Sequence, residues 1–276
     1  MPDANADHRT VESFGREWSR FDQSGLSDTE RQRMWESYFC VFPWTSLPPR
    51  AEGFDLGCGS GRWALLVAPR VGVLHCIDAS SSALNVTRQN LAHIPNCVYH
   101  QASVDQIPLD DESMDFGYSL GVLHHVPDTG AGIASCVAKL KKGAPFLIYL
   151  YYALENRPLW YRSLWKITDV SRRLLSASPS WILNPATAII AAMVYFPLAR
   201  TAWILERAGF KVEGMPLAAY RSRSFYTMRT DSLDRFGTPL EQRFTADQIR
   251  QMMTAAGLER ITFSTEAFWC AVGFRS

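Results

Sequence analysis

The stretch FDLGCGSGRWA, residues 54–64, places three glycines within five positions, two residues after the acid Asp55. Because glycine has no Cβ, such a loop allows a ligand to approach the backbone closely. Phosphates are frequent ligands of glycine-rich loops. Here the third glycine is Gly61, one position short of the dinucleotide spacing G-x-G-x-x-G, and no Gly-Lys-Ser/Thr follows as in a P-loop. The loop therefore predicts a ligand site that lacks a convincing phosphate cradle.

A second acid follows the loop at the distance of one strand–helix–strand unit. Asp78, in HCIDAS, comes 23 residues after Asp55 and ends an apolar run. A carboxylate at the end of such a strand can accept hydrogen bonds from both hydroxyls of an unmodified ribose. The glycine loop and Asp78 together indicate a ligand that carries a ribose.

Two adjacent histidines, His124 and His125, follow the apolar run MDFGYSLGVL. Histidine titrates near neutral pH, so it suits the role of a general base. The other interpretation is that one of them caps or packs against the helix that follows.

The elements that would position these residues alternate between strands and helices. An α/β rhythm of this kind predicts a parallel sheet with helices on both faces, and ligands gather at the carboxyl ends of its strands. The predicted strands are FDLGC, VLHCIDA, VYHQAS, MDFGYSLGVL and PFLIYLYY, and the predicted helices are GRWALLVAPR, SALNVTRQNLAHI and IASCVAKLKK.

The rhythm breaks after the fifth strand and resumes at FTADQIRQMMTAAG. This segment predicts a helix with Thr245 as N-cap and Gly257 as C-cap. ITFSTE and FWCAVGF then predict two antiparallel strands joined around Ala267. Residues 153–243 would form an insertion with an aromatic helix, a pair of apolar helices and the Arg- and Tyr-rich loop YRSRSFYTMRTDSLDRF.

The chain resembles the class I S-adenosylmethionine-dependent methyltransferases at these motifs. DLGCGSGR resembles their first motif, IDAS the acidic end of their second strand, and QASVDQIPLDDESMDFGYSLGVLHHVPD the segment that runs from the adenine contact to the loop after strand 4. The resemblance implies a Rossmann-like α/β fold whose seven-stranded, mostly parallel sheet ends in an antiparallel hairpin. Residues 50–152 and 244–276 would form this core, 1–49 an N-terminal helical segment, and 153–243 a helical lid that binds the acceptor.

The resemblance implies S-adenosylmethionine as the cofactor and no metal. The glycine loop would approach the methionine moiety, Asp78 would hold the ribose hydroxyls, Ser103 and Val104 would meet the adenine edge, and Leu120 would lie beside the sulfonium. The implied cofactor-binding residues are Gly57, Cys58, Gly59, Asp78, Ala79, Ser103, Val104, Leu120 and Gly121.

Methyl transfer from a sulfonium is an in-line displacement, so the enzyme mainly positions the acceptor and excludes water. A base is needed only when the acceptor is a hydroxyl or a protonated amine. His125 and His124 are the candidate catalytic residues.

The insertion is also the basic part of the chain. Residues 153–243 carry 13 Lys and Arg against 7 Asp and Glu, whereas the rest carries 15 against 20. This excess indicates either an acidic group on the acceptor or simply a solvated helical surface. Trp18 shares a predicted helix face with Phe14 and Phe21, which suits core packing or a cover over the cofactor. The candidate substrate residues are Trp18, Tyr152, Arg221, Arg223, Tyr226 and Arg229.

Composition argues against several other classes of protein. The formal net charge of +1 gives no reason to expect nucleic acid as a partner. The six cysteines form no C-x-x-C, which argues for reduced thiols in the cytoplasm rather than a disulfide framework or a zinc site.

The start MPDANADHRT is unlike a signal peptide. The apolar stretch 186–199 spans 14 residues and contains Pro197, which predicts a buried or interfacial helix instead of an integral membrane segment.

These features together predict methyl transfer to a small, partly hydrophobic organic acceptor, with O-, N- and C-methylation all open. Three alternatives also stay open: a macromolecular acceptor, a membrane-associated lipid or quinone, and a binding module without catalysis. The oligomeric state stays open too.

Overall fold

The computed structural model describes residues 5–155, 157–265 and 269–276, and its centre is a seven-stranded sheet in the order β3-β2-β1-β4-β5-β7-β6. Strands β1 to β5 run parallel, and β7 pairs antiparallel with both β5 and β6. This confirms the predicted fold. The strands are β1 Glu52–Leu56, β2 Val73–Asp78, β3 Cys97–Gln101, β4 Phe116–Leu120, β5 Pro145–Tyr149, β6 Leu258–Phe263 and β7 Cys270–Arg275.

Ten α-helices accompany the sheet in the described residues. Short 3-10 turns also occur, one of them at Leu123–His125. The helices are α1 His8–Arg20, α2 Asp28–Phe39, α3 Ala64–Val67, α4 Ser81–Asn90, α5 Thr129–Lys139, α6 Leu159–Ser176, α7 Ser180–Ile190, α8 Phe196–Arg207, α9 Phe225–Gly237 and α10 Ala246–Ala255.

The central strands are held together by aromatic packing that glycine makes possible. Phe54 on β1 and Phe116 on β4 are fully buried. A Cβ on Gly53 would lie 2.3 Å from the Phe116 ring, and one on Gly117 would lie 2.3 Å from the Phe54 ring. Each ring therefore takes the space that a neighbouring side chain would need, and burial of both rings stabilises the pairing of β1 with β4.

The chain divides into two compact units. The first contains Met1–Gln23, Arg31–Ala153 and Leu240–Ser276, and it holds the whole sheet. The second contains Ser24–Glu30 and Leu154–Pro239, and it holds α6 to α9. We refer to them below as the sheet unit and the helical unit.

The C-terminal part of the sheet unit begins with a well-capped helix. Thr245 is the N-cap of α10, and it exchanges reciprocal side-chain and backbone hydrogen bonds with Gln248. The C-cap is Ala256, one residue before the predicted Gly257, which follows in the left-handed region at φ 89°. Strand β6 starts at Leu258, three residues earlier than predicted. The predicted turn residue Ala267 lies outside the described residues.

In the helical unit, the segment predicted as an Arg- and Tyr-rich loop is mostly helix, so that prediction is wrong. The Ser224 side chain accepts a hydrogen bond from the Thr227 amide and starts α9. Met228 and Phe236 are buried in an apolar cluster. A helix is favoured here because its buried residues follow helical spacing between the charged ones, a pattern that the many arginines obscure.

The apolar segment of the helical unit is longer than the 14 residues that its sequence indicates. Helices α7 and α8 are joined by a π-helical turn at Ala191–Tyr195, which gives one continuous helix of 28 residues from Ser180 to Arg207. Pro197 does not end the helix, although proline is disfavoured in a helix interior; it directly follows the π-helical turn, where the regular i→i−4 hydrogen bonding changes. By length and composition this is the one described helix that could cross a membrane.

Candidate functional site

The glycine loop after β1 has a backbone that only glycine adopts easily. Gly57, Gly59 and Gly61 have φ values of 77°, 57° and 76°, all in the left-handed region. The amides of Gly57 and Cys58 both donate to the Ile77 carbonyl, at 2.7 and 3.1 Å, which ties the loop to the end of β2. The loop is therefore fixed by backbone contacts at the carboxyl end of the sheet.

The space beside two of these glycines is occupied by side chains of the same unit. A Cβ on Gly57 would lie 2.3 Å from Val122, and one on Gly59 would lie 2.9 Å from the Trp18 indole. The indole also faces the Arg62 guanidinium, which lies 5.6 Å from the ring centroid. Trp18, predicted as either a core residue or a cover, thus lies directly against the loop.

Helix α1 carries Trp18 to this position because it packs on the start of α4. Gly15 makes the close approach possible, since a Cβ there would lie 2.5 Å from the Ser80 hydroxyl. Beside this contact an open groove of about 580 Å³ runs between α1 and α4, and Ala79 lines it. Ala79 therefore borders free volume, as an adenine neighbour would have to.

Asp78 lies at the end of β2, partly buried, with each carboxylate oxygen held by a backbone amide. Oδ2 accepts from Gly59 at 2.9 Å, and Oδ1 accepts from Ser80 at 2.8 Å. Burial raises the pKa of Asp78, and these two amides oppose the rise. Each oxygen keeps a further lone pair, so a fixed carboxylate can accept from two hydroxyls of a ribose.

Asp55 is a buried acid of this region to which the sequence analysis assigned no role. It is 1% exposed on β1, and among the described residues its Oδ2 has no hydrogen-bond partner. Burial raises its pKa to about 8, with the nearby Asp78 adding to the rise and Tyr118 and Arg62 opposing it. The sequence does carry a signal for this residue. Burying an acid inside an otherwise apolar strand costs free energy, so such an acid is a candidate functional residue.

The other predicted cofactor residues lie in two places, after β3 and at the end of β4. Ser103 and Val104 are buried, and the Ser103 hydroxyl donates to Asp105 at 2.7 Å. Gly121 has φ 81°, and a Cβ there would meet nothing within 4 Å, so open space adjoins the end of β4. Leu120 is buried one residue earlier.

Cys58 points into the protein rather than toward open space. Its Sγ lies 3.6 Å from the Thr87 hydroxyl, and burial raises the pKa of its thiol. It is therefore a neutral thiol that packs under the loop, where only its backbone is available to a ligand.

The two histidines differ in their surroundings. His124 is fully buried against the Tyr151 ring, with centroids 3.9 Å apart, and neither of its ring nitrogens has a hydrogen-bond partner among the described residues. Burial, with the positive charges that His125 and Arg243 can carry, holds the pKa of His124 well below its usual range. It is a neutral ring in the interior.

His125 is oriented by a hydrogen bond from its Nδ1 to the Leu240 carbonyl, at 2.6 Å. Because a carbonyl can only accept, Nδ1 carries the proton, and the lone pair of the neutral ring is on Nε2. The Phe14 ring of α1 lies 5.0 Å away. His125 thus has the tautomer that a general base requires, but the residue is only 4% exposed and its Nε2 is enclosed by protein, so an acceptor must displace neighbouring side chains to reach it.

Tyr152 lies in the sheet unit with Trp18. It forms an isolated parallel bridge with Phe244, and its ring lies 5.1 Å from that of Trp269.

The remaining predicted substrate residues, Arg221, Arg223, Tyr226 and Arg229, lie in the helical unit. Arg221 forms an ion pair with Glu206 at 2.8 Å. The Arg200 guanidinium donates to the carbonyls of Arg221 and Arg223, at 3.0 and 3.2 Å. Arg221 is thus engaged by a carboxylate of its own unit, and Arg200 fixes the turn before α9.

Comparisons with known proteins point to one class of enzyme. Residues 54–148 match the family model described as a methyltransferase domain. The chain is 33% identical over 109 residues to a ubiquinone biosynthesis O-methyltransferase of Alkalilimnicola ehrlichii, covering 39% of this chain and 43% of that protein. It is 26% identical over 185 residues to a 2-phytyl-1,4-naphtoquinone methyltransferase of Thermosynechococcus vestitus, covering 63% and 79%. The first two curated relatives are matched over 43% and 52% of their lengths, so the chain spans about half of each.

The fold agrees with a solved structure. A methyltransferase of Thermotoga maritima, described as dependent on S-adenosylmethionine and as a possible histamine N-methyltransferase, superimposes with a TM-score of 0.52 at 13% identity, covering 95% of this chain and all of the other. The sheet order, the glycine loop and the matching domain define a class I methyltransferase fold. Residues 54–148 thus match a methyltransferase domain, and the sheet that contains them has the fold of the S-adenosylmethionine-dependent methyltransferases.

The residues present fit S-adenosylmethionine as the cofactor. The acid at the end of β2 is fixed by amides, open space adjoins Gly121, and Ala79 borders a groove. Bound at this place, the cofactor would supply a methyl group that its positive sulfur already activates. Among the described residues no group of three or more His, Cys, Asp or Glu could hold a metal ion.

Proposed function

We propose that the chain transfers the methyl group of S-adenosylmethionine to a small, partly hydrophobic organic acceptor. The observation that carries the proposal is Asp78, whose two oxygens are held by the Gly59 and Ser80 amides beside the glycine loop. This arrangement presents a fixed acceptor pair for ribose hydroxyls at the carboxyl edge of the sheet, where ligands of such sheets bind.

The acceptor class is supported by composition and by the names of relatives. Two of the relatives are named for quinones, whose rings are apolar and carry oxygen. A phenol or a related hydroxylated ring is therefore the acceptor to test first. A panel of phenols, amines and carbon acids, incubated with methyl-labelled S-adenosylmethionine, identifies the atom methylated. Turnover of amines alone would exclude the phenol class.

For a hydroxyl acceptor, we propose His125 as the general base. Its Nδ1 proton is held by the Leu240 carbonyl, so Nε2 can accept the proton that the hydroxyl loses as the methyl–oxygen bond forms. Water must be kept from the site, because it competes as an acceptor. Trp18 beside Gly59 is placed to exclude it from the loop.

His125→Ala tests this role, with His124→Phe as the matched control. We expect His125→Ala to lower kcat by ~10²–10⁴ with unchanged cofactor affinity, because only proton removal is lost. His124→Phe keeps a ring against Tyr151 and should retain most activity, since its neutral nitrogens have no part in the transfer. Full activity of His125→Ala across the pH range would show that His125 is not the general base.

Two competing functions have direct tests. A macromolecular acceptor predicts binding to tRNA on filters that weakens steeply with salt. A binding module without catalysis predicts calorimetric binding of S-adenosylmethionine with no turnover of any acceptor. Our proposal expects neither result.

The proposal includes two further features. Residues 153–243 act as a lid that binds the acceptor, which their basic excess and aromatic residues support. Protection of this segment from proteolysis by cofactor or acceptor would be the expected result, and protection by neither would exclude the lid. The cytoplasm is the proposed location, because the six cysteines are thiols rather than disulfides.

A further inference from the structure

The helical unit exposes an unusual amount of apolar side chain. Of the sixteen large apolar side chains that are exposed in the described residues, fifteen lie between residues 159 and 225, and Val98 is the exception. Leu159, Trp181 and Met193 are 76%, 74% and 72% exposed. Soluble monomers rarely expose large contiguous apolar patches, and those that do use them for binding. The residues therefore indicate a docking surface.

On α6 the exposed apolar residues follow one helix face. Trp160, Leu164, Ile167 and Leu174 are exposed at positions i, i+4, i+7 and i+14. The opposite side of α6 is buried, and there Asp169 pairs with Arg172 at 2.7 Å. The amphipathic pattern of α6 is thus inverted in part, with the ion pair inside and the apolar stripe outside.

The continuous helix of α7 and α8 shows a second exposed stripe. Trp181, Ile189 and Met193 are exposed. On the buried side, Leu183 lies against Gly237 of α9, and the Thr187 carbonyl accepts a hydrogen bond from Ser232 of α9. Because α6 and α7 both pack on α9 through their buried sides, both stripes point away from α9.

The charges next to the stripes are positive. Arg162, Lys166 and Arg173 are exposed on α6, and its one acid, Asp169, is buried and pairs with Arg172 at 2.7 Å and with Arg173 at 3.0 Å, so the helix keeps a net positive charge. From Leu174 to Ala199 the chain contains no charged residue. A helix with apolar residues on one face and cations beside them is the pattern of binding in the interface of an anionic membrane.

We propose that the exposed faces of α6 and of the α7–α8 helix dock on the surface of an anionic lipid bilayer. The apolar side chains enter the boundary between headgroups and acyl chains, and Arg162, Lys166 and Arg173 contact the headgroup phosphates. The lipid-docking surface consists of Trp160, Leu164, Ile167, Leu174, Trp181, Ile189 and Met193 with these three cations.

The charges favour this occupant over a second copy of the chain. A twofold interface would place the α6 cations of both copies close to one another, which costs free energy. A membrane span is disfavoured by the contacts of Leu183 and Thr187 with α9, because that helix carries Asp231, Asp234 and Arg235 and would have to separate from the span. The docking surface goes beyond the proposed function, since lipid binding requires no methyl transfer.

Flotation of the full chain with vesicles tests the proposal without cofactor or acceptor. The chain should float with vesicles of phosphatidylglycerol and phosphatidylcholine, and much less with phosphatidylcholine alone or at high salt. Ile167→Glu and Trp181→Glu should each weaken binding roughly 10- to 100-fold, as the loss of one buried large apolar side chain implies. The double change Arg162→Gln and Lys166→Gln should weaken it roughly fivefold for each charge.

Val98→Glu is the matched control, because it places the same charge at an exposed apolar position of the sheet unit. It should bind vesicles like the unchanged chain, and all variants should keep their circular dichroism and melting temperature. No flotation, or equal weakening by Val98→Glu, would overturn the proposal. So would light scattering that shows a dimer which Ile167→Glu dissociates, or resistance of the membrane-bound chain to alkaline carbonate, which indicates a span.

Discussion

The sheet unit buries nearly all of its large apolar side chains, whereas the helical unit leaves many of them exposed. The sheet unit exposes one large apolar side chain among those described, Val98, whereas the helical unit exposes fifteen. In the sheet unit, helices on both faces of a parallel sheet leave few apolar side chains outside. In the helical unit, α6 and α7 each bury one side on α9 and leave the other uncovered. The candidate cofactor site, a glycine loop with the Asp78 carboxylate, lies in the sheet unit, and the lipid-docking surface that we propose lies in the helical unit.

The largest effect that the comparison predicts comes from the backbone of the sheet unit. Gly59→Val forces a β-branched residue into φ 57° and directs its Cβ into the Trp18 indole at 2.9 Å. We expect cofactor binding to be lost while the fold persists. Calorimetry and circular dichroism measure the two quantities.

Gly143→Val is the matched control for this change. Gly143 has φ 78°, so it has similar backbone strain of about 1–2 kcal/mol, but a Cβ there would meet nothing within 4 Å. It should be destabilised and still bind the cofactor. Equal binding by both variants would place the ligand away from Gly59.

A smaller effect is expected from the carboxylate that the loop holds. Asp78→Ala should weaken S-adenosylmethionine binding by about 1.5–3 kcal/mol for each charge-assisted hydrogen bond lost, or roughly 10- to 150-fold. Asp111→Ala, which removes an exposed carboxylate that pairs with Lys139, should leave binding unchanged. If Asp78→Ala binds as tightly as the unchanged chain, the ribose contact is elsewhere.

Asp55 predicts a pH effect on the stability of the sheet unit. Its pKa is raised from 3.8 to about 8, so the folded state holds its proton more tightly than the unfolded state does. Stability from this group is therefore lost as the pH rises from about 4 to 8. Asp55→Asn mimics the neutral acid, so its melting temperature relative to the unchanged chain should rise with pH over this window.

The control for Asp55 is an acid with the opposite shift. The pKa of Asp111 is lowered by its hydrogen bond and ion pair with Lys139, so Asp111→Asn should show no such trend above pH 5. If the melting temperatures of Asp55→Asn and the unchanged chain change with pH in parallel, the pKa of Asp55 is not raised in the folded protein.

The smallest effect is expected on the surface of the helical unit. Arg221 and Glu206 are 30% and 44% exposed, so water should screen their ion pair and its contribution to stability should be close to zero. A double-mutant cycle with Arg221→Ala and Glu206→Ala, followed by chemical unfolding, measures it. A large coupling would mean that the pair is shielded from water.

The sequence predicted most of the sheet unit, because its signals are local. The periodicity of the strands and the loop glycines gave the sheet, and Thr245 gave the start of α10. The contact between Asp78 and the loop has the same local origin, since each ends a strand. What the sequence could not supply was the occupant of the space beside the glycines, because Val122 and Trp18 arrive there from distant segments.

In the helical unit the sequence was less informative. The arginines between residues 221 and 235 obscure the buried positions of α9, so the pattern predicts a loop where the structure has a helix. The apolar stretch 186–199 predicted a short helix, yet the observed helix starts earlier, with Pro185 inside α7, and continues through Pro197 into α8. Whether an apolar face is covered depends on tertiary packing, which periodicity alone does not reveal.

Isothermal titration of the chain with S-adenosylmethionine, and with NAD under the same conditions, tests the central claim most directly. The account predicts one S-adenosylmethionine bound per chain, with the heat abolished in Gly59→Val and retained in Gly143→Val, and little or no binding of NAD. Tighter binding of NAD, or no heat with S-adenosylmethionine for the folded chain, would contradict it.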